Sequence, residues 1–241
     1  MIFWTKWGVR IAEYFFDEQA TPVRADVVHY RQWSSPVAGF VCTPFYTRSI
    51  DLHQPPDEIF RAMETDNRKS IRRSERSDAL TYCYADRDDP ALLREVADLH
   101  DKFATLKGLP RTDRARLWAF WRAHSLDISL IRDGHGNPLV WRISYCDAHR
   151  ARNLHNGSLH RALSDSAQKN LVGRAHRYGV WRNILRFKEA GLKTYDFGGW
   201  YMGTTDIDKL KINLFKKEFG GYIEKSFNCV GAGTLLGKQI L

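Results

Sequence analysis

Four stretches of the sequence combine residue types that could bind a phosphate or support group transfer. The first is the basic run NRKSIRRSER, in which Arg68, Arg72 and Arg76 recur every four residues. On a helix these three guanidinium groups share one face, where they could hold phosphates through forked hydrogen bonds. A solvated helix face with acidic partners explains the same spacing, since basic runs are common on such faces.

The second stretch is Val172-Gly173-Arg174-Ala175, interpreted as the turn that leads into a helix starting near residue 172. The free N–H groups at a helix N-terminus, followed here by a cation, suit a phosphate or a carboxylate. A simple helix start with no ligand is the alternative.

The third stretch is Tyr195-Asp196-Phe197-Gly198-Gly199-Trp200, interpreted as a strand that ends in two glycines. Glycines let the backbone approach a ligand closely, and a phenol, a carboxylate and an indole lie beside them. In the alternative interpretation, Phe197 and Trp200 belong to the core and the glycines only turn the chain.

The fourth stretch is Phe215-Lys216-Lys217-Glu218-Phe219-Gly220-Gly221. A lysine between aromatic residues could be partly desolvated and could stabilise a developing oxyanion. Phe215 and Phe219 are four residues apart and are most simply explained as core positions.

Other catalytic patterns find no support. His149, His155 and His160 lack regular ligand spacing, so no metal site is predicted. No GxSxG-like sequence accompanies a Ser-His-Asp or Cys-His triad. The absence of a Walker loop and of GxGxxG argues against a P-loop NTPase or a Rossmann enzyme.

Composition describes an ordinary globular chain with an anionic partner. Its 241 residues allow one large domain or two small ones. The net charge of +9 indicates nucleic acid, a phosphate-bearing ligand or a membrane surface. The aromatic content of 13% excludes a disordered basic tail. The basic residues match no recognition-helix pattern, so DNA is not expected as a partner.

The cysteines and the N-terminus favour a cytoplasmic protein. The four cysteines lie far apart without a CxxC pair, which predicts reduced thiols rather than a disulfide scaffold. No run of eighteen apolar residues is present, so no transmembrane segment is expected, and the first residues do not form a signal peptide. Trp4, Trp7 and Ile11 have helical spacing; peripheral membrane contact through an interfacial helix is an alternative to packing on the core.

Amphipathic spacing and turn residues predict a mixed α+β sheet rather than a β-α-β-α wheel. Short strands are expected in residues 1–50, followed by a helix that begins at Pro55-Pro56. The pattern then predicts helices over about 89–107 and 112–124, a hairpin around residues 133–137, a strand near 150–159, a helix over 172–190, a strand before Gly198, a helix over about 206–218 and a last strand after Gly221. We expect residues 1–88 to form an extension of strands and basic helix packed on a main domain of residues 89–241.

Taken in order, the motifs resemble the Fem-type branch of the GNAT acyltransferase superfamily. The resemblance covers residues 50–221 and is carried by IDL, NRKSIRRSER, GRAHRYGVW, FKEAGLKTYDFGG and LFKKEFGG. It implies a GNAT-like fold, with a mixed, mostly antiparallel sheet flanked by helices and an N-terminal strand and helix extension.

The resemblance also implies a reaction: transfer of an acyl or aminoacyl group from acyl-CoA or aminoacyl-tRNA to an amine. The acceptor would be a phosphate-bearing cell-envelope precursor, of surface-polysaccharide or peptidoglycan type, and no tightly bound cofactor is expected. The Phe-Lys pair of the Fem pattern corresponds to Phe215 and Lys216, with Lys216 stabilising the tetrahedral oxyanion. Asp196 or Tyr195 would orient or deprotonate the amine.

Further site residues are predicted from the residue types themselves, since only the Lys216 role rests on a matched motif. Gly173, Arg174, Ala175 and Tyr178 would meet the donor, whereas the acceptor would contact Arg68, Arg72 and Trp200. The acyl-CoA loop of the superfamily, Q/R-x-x-G-x-G/A, begins here with Asn170, so both donors stay open. The alternatives are an aminoacyl-tRNA-dependent ligase acting on a peptide or small-molecule amine, and a non-catalytic module that binds a phosphate ligand.

Overall fold

The first fifty residues form strands, as their aromatic and β-branched runs predict. The computed structural model describes residues 1–19, 23–85, 90–159 and 165–241. Its first four strands are β1 (Ile2–Lys6), β2 (Val9–Phe15), β3 (Val27–Trp33) and β4 (Val41–Asp51). β1 and β2 form an antiparallel hairpin. The interfacial helix considered for Trp4, Trp7 and Ile11 is therefore wrong, because the chain reverses at Trp7 and Gly8.

The basic segment forms two helices where the sequence predicted one. These are α1 (Pro56–Arg61) and α2 (Thr65–Ser77). Glu64 has extended backbone between them, and its N–H donates to the carbonyl of Glu218 instead of to a carbonyl in α1. A long-range contact therefore separates the two helices.

From residue 89 onward the predicted order of elements is confirmed. The elements are α3 (Ala91–Lys107), α4 (Arg114–Arg122), β6 (Leu126–Arg132), β7 (Pro138–Cys146), β8 (Arg150–Ser158), α5 (Ser166–Glu189), β9 (Thr194–Gly199), α6 (Ile207–Lys217) and β10 (Tyr222–Ala232). Two short elements escaped prediction, the edge strand β5 (Thr81–Tyr84) and the last helix α7 (Leu235–Ile240).

Helix α5 starts earlier than its sequence suggested. It begins at Ser166, because the Asp165 carboxylate accepts from the N–H groups of Ala167 and Gln168 and caps the first turn. The predicted start near residue 172 is wrong. Within the described residues, no helix is both long and apolar enough to cross a membrane.

The strands form one mixed sheet in the order β1-β2-β3-β10-β4-β9-β8-β7-β6-β5. The β2–β3 and β8–β9 pairs are parallel, and the other pairs are antiparallel. β4 lies between β10 and β9, so residues before and after position 88 share this sheet. This α+β arrangement confirms the predicted fold class.

Hydrophobic clusters cover both faces of the sheet. On the face of α3 and α4 the core includes Phe15, Val96, Phe120, Trp141 and Tyr145. On the opposite face the cores include Ile59, Ile71, Val180, Phe187 and Tyr195. Strand β6 therefore has buried apolar residues on both sides, with Ile128 and Leu130 in one cluster and Ile131 in another.

The cysteines differ from their prediction. Cys42 on β4 and Cys229 on β10 form a disulfide with a Cα–Cα distance of 4.0 Å. The two residues are directly paired in the antiparallel register, although 187 positions separate them in the sequence. The expectation of four reduced thiols is thus wrong for this pair, because sequence spacing does not reveal strand register. Cys83 and Cys146 form no disulfide within the described residues.

Gly221, directly before β10, provides a test of the close pairing between β4 and β10. Its φ is +77°, and a Cβ there would collide with the carbonyl oxygen of Ser49 on β4. We expect Gly221→Ala to lower the free energy of unfolding by about 3 kcal/mol, measured by urea denaturation. Gly8 is the matched control, because its φ is +79° but nothing lies near its missing Cβ. Gly8→Ala should cost only about 1 kcal/mol from backbone strain; equal losses would contradict the close β4–β10 approach.

Candidate active site

The candidate site lies where two central strands separate. β8 and β9 pair in parallel over three positions, from Arg150 opposite Thr194 to Arg152 opposite Asp196. Beyond Arg152, β8 continues beside β7, whereas β9 stays paired with β4. Gly198 sits at the opening with φ +74°, and a Cβ there would lie 2.8 Å from the Asn153 carbonyl oxygen. A glycine is therefore required where these strands diverge.

Lys216 reaches this opening from the last turn of α6. It is only 8% exposed, and its Nζ donates to the carbonyl oxygens of Gly198, at 3.1 Å, and of Gly199. The pKa of Lys216 is lowered to about 8, chiefly by burial; the charge of Asp196 opposes the shift and that of Arg152 adds to it. An ammonium group has three N–H donors, so one is left for a ligand after the two backbone bonds.

Asp196 organises the backbone around that lysine. The carboxylate is 0% exposed and accepts hydrogen bonds from Gln32 Nε2 and from the Gly198 N–H, both at 2.7 Å, and from the Thr47 hydroxyl. Arg150 forms a longer ion pair with it at 3.5 Å. Asp196 therefore fixes the Gly198 turn and places a negative charge beside Lys216.

Tyr195 faces the other way. It is 0% exposed and packs against Phe187 and Phe197, and burial raises the pKa of its phenol. The structure brings Asp196 and Lys216 together and puts Tyr195 on the opposite face of the sheet. The assignment of the amine's base to Asp196 or Tyr195 stays a prediction.

The aromatic neighbours of Lys216 have distinct surroundings. Phe215 packs edge-on against Phe219 and His176, with the Arg177 guanidinium 5.6 Å from its ring centre. Trp200 follows β9, and its backbone N–H donates to the Tyr46 carbonyl. The Arg48 guanidinium lies 5.3 Å from the centre of the Trp200 ring. Of the two aromatic residues, only Trp200 directly follows the glycines that bind Lys216.

The predicted donor-binding residues lie inside α5. Gly173, Arg174, Ala175 and Tyr178 are past its first turn, so the expected helix terminus with free N–H groups is not at these positions. Arg174 forms a forked ion pair with Asp78 at 2.7 and 2.9 Å, which raises the arginine pKa and lowers that of the carboxyl. Ala175 and Tyr178 are buried in a hydrophobic cluster.

The predicted acceptor-binding arginines lie on α2 and contact the end of α1. Arg68 donates to the carbonyls of Arg61 and Met63 and thereby bridges α1 and α2. The Arg72 guanidinium lies 5.3 Å from the Phe60 ring centre. Neither arginine bonds to Lys216 or Asp196.

Several polar residues around the opening were missed by sequence reasoning. Gln32 and Thr47 bond Asp196 but come from β3 and β4, which are far away in sequence. Arg150 and Arg152 carried a weak signal, because they alternate along a predicted strand and so share one face. Within the described residues, no group of three or more His, Cys, Asp or Glu side chains is placed to hold a metal ion. His160, one of the histidines considered above, lies outside the described residues.

Comparison with known proteins gives matches in structure alone. The sequence matches no protein-family model and no curated protein sequence. FemX matches with a TM-score of 0.59 at 15% identity, over 76% of this chain and 61% of FemX. The C-terminal domain assigned to a lysylphosphatidylglycerol synthetase from Agrobacterium fabrum matches with a TM-score of 0.57 at 14% identity, over 89% and 71% of the two chains. L-PGS from Bacillus licheniformis matches with a TM-score of 0.54 at 12% identity, over 89% and 70%.

These likenesses define the fold. The chain has a Fem-like fold, as the ordered motifs predicted, although it spans less than two thirds of the length of FemX. Because fold does not determine function, the chemistry depends on the residues at the strand opening.

Proposed function

We propose that the protein is an N-acyltransferase. It would move an acyl or aminoacyl group from a CoA thioester or a charged tRNA to an amino group of a phosphate-bearing cell-envelope precursor. The observation that supports this proposal most strongly is Lys216, held by two carbonyls at the separation of β8 and β9 with one N–H left to donate. Structural likeness to FemX and to lysylphosphatidylglycerol synthetase is consistent with acyl or aminoacyl transfer.

The proposed reaction begins when the acceptor amine attacks the carbonyl carbon of the donor. A C–N bond forms, and the carbonyl oxygen becomes a tetrahedral oxyanion. Lys216 donates its remaining N–H to that oxygen; with a pKa of about 8 the group is mostly protonated at pH 7. The intermediate then expels the CoA thiolate or the ribose alkoxide of the tRNA. The proton released by the amine converts this leaving group to the thiol or the hydroxyl.

Calorimetric titration with CoA, acetyl-CoA and a charged-tRNA pool, each at two salt concentrations, tests the donor. We expect one donor class to bind saturably. RNA binding should weaken steeply with salt, because counterions are released when basic residues contact phosphates. Binding of CoA would direct the search to amino-sugar acceptors, whereas binding of charged tRNA alone would favour the tRNA-dependent ligase and peptide-like acceptors. If neither class binds, alone or with acceptor amines present, the proposed function is contradicted.

A further inference from the structure

A pocket distinct from the strand opening lies beside it, on the α3/α4 face of the sheet. Its volume is about 550 Å³, and its lining includes Trp4, His29, Arg31, Arg116, Arg152 and His155. These residues come from β1, β3, α4 and β8, so the pocket forms only when distant parts of the chain meet.

Two of the arginines share one buried carboxylate. Glu13 on β2 is 0% exposed and accepts from Arg31 Nε at 3.0 Å and from Arg116 Nε and Nη2 at 2.6 and 3.0 Å. Trp4 Nε1 also donates to it at 3.0 Å. Glu13 is thereby saturated, while neither terminal nitrogen of Arg31 has an acceptor among the described residues.

Arg152 is the unusual member of the pocket. In the described part of the chain its guanidinium makes no hydrogen bond, and its Nε is sealed from solvent. The Arg152 guanidinium lies over the ring of Phe45, 5.1 Å from the ring centre. Burial lowers the pKa of Arg152 to about 10. A half-buried cation that no described residue hydrogen-bonds is poorly compensated, so the site favours an anion.

We propose that this pocket binds a phosphate group, with Arg152 as its principal ligand. Three guanidinium groups against Glu13 leave a surplus of two positive charges, which suits a phosphate monoester better than a carboxylate. Asp196 also lies near Arg152, but its negative charge is balanced by Lys216 and by Arg150, which lies 3.5 Å away. Lys6 at the edge of the pocket is paired with Asp113 at 2.7 Å, so the surplus is unchanged.

The two histidines leave that surplus unchanged. Burial lowers the pKa values of His29 and His155 to about 4, and neighbouring arginines add to the effect for both. Both imidazoles are therefore neutral at pH 7 and can hydrogen-bond a phosphate without adding charge.

The position of the pocket connects it to the proposed reaction. Arg152 is paired with Asp196 in the β8–β9 register, and adjacent strands lie about 4.8 Å apart. Lys216 is close enough that the Arg152 charge lowers its pKa. If the proposed function holds, a phosphate on Arg152 is that of the acceptor and leaves its amine near Lys216. This assigns to Arg152 and Arg31 the role predicted for Arg68 and Arg72.

Thermal melting in increasing inorganic phosphate, at constant ionic strength set with chloride, tests the site. Wild-type protein should melt at higher temperature as phosphate rises, since a ligand that binds the folded state stabilises it. Arg152→Met should abolish this shift and, without phosphate, melt at or above the wild-type temperature, because it removes a half-buried charge that no described residue hydrogen-bonds. Arg72→Met, on the exposed face of α2, should keep the full shift.

Three results would overturn the proposal: an unchanged phosphate shift in Arg152→Met, an equal loss of the shift in Arg72→Met, or an equally large shift with acetate. If Arg152→Met does not fold, Arg152→Gln with phosphorus NMR of bound phosphate gives the same comparison. A transfer assay separates the site from the function, since Arg152→Met should raise the acceptor KM at least about tenfold while kcat is retained. A phosphate shift that depends on Arg152 without any transfer by the wild type would uphold the site and remove the proposed function.

Discussion

Replacing Lys216 with alanine should lower kcat for acyl transfer by about 10²–10³-fold, the usual effect of removing one oxyanion donor. The change removes the ammonium group that is proposed to donate to the reacting carbonyl, while the buried neighbours of α6 stay in place. The acceptor KM should change little, because the interaction forms only as charge develops on the oxygen. Steady-state rates with the donor identified by titration measure this effect.

The adjacent lysine is the matched control for that variant. Lys217 lies on the same helix turn, has the same charge and is exposed. Lys217→Ala should therefore leave the transfer rate nearly unchanged, and melting curves should show that both variants are folded. Equal losses in the two variants would indicate a general effect of charge on α6, and a Lys216→Ala enzyme with a normal rate would exclude the oxyanion role.

Replacing Glu13 with glutamine should cost about 3 kcal/mol of unfolding free energy at pH 7, as expected when one partner of a buried ion pair is removed. Glu13 is the shared acceptor of Arg31 and Arg116, and the neutral amide would leave both cations poorly compensated. Glu95→Gln is the control, because Glu95 is 37% exposed and pairs with Arg132 at the surface. That variant should lose less than about 1 kcal/mol.

The Glu13 effect should also depend on pH. Burial alone would raise the pKa of Glu13, but the bonds and charges of Arg116 and Arg31 lower it from 4.5 to about 2. A lowered pKa in the folded state means that the stabilisation is complete above pH 4.5 and is lost as pH falls toward 2. Urea denaturation at pH 7, 5 and 3 should therefore show the difference between wild type and Glu13→Gln shrinking at pH 3. A difference that is constant across this range would contradict the ion-pair account.

The order of elements after residue 89 could be predicted because amphipathic period and turn residues are local properties. The start of α5 was misplaced because Gly173 resembles a helix boundary, whereas the cap at Asp165 decides where the helix begins. The pairing of Cys42 with Cys229 depends on strand register and left no signal in the sequence.

The candidate site likewise combines residues that local sequence indicates with residues that only long-range packing brings together. Lys216 could be found because the aromatic residues around it are local in sequence and the motif resembles a known family. The cluster of Glu13, Arg31, Arg116 and Arg152 could not, because it joins residues up to 139 positions apart through the packing of β2, β3, α4 and β8. The sequence indicated this cluster only weakly, through Arg150 and Arg152 at alternating positions of a predicted strand.

Mass-spectrometric detection of acyl transfer tests the central claim most directly. Wild-type protein would be incubated with acetyl-CoA or a charged-tRNA pool and a panel of amines, amino sugars and their phosphate esters. The account predicts that one donor yields an amide product, that phosphate-bearing amines react preferentially, and that Lys216→Ala but not Lys217→Ala loses the product. Saturable donor binding without any amide product, unchanged in Lys216→Ala, would contradict the account and identify a binding module instead of an enzyme.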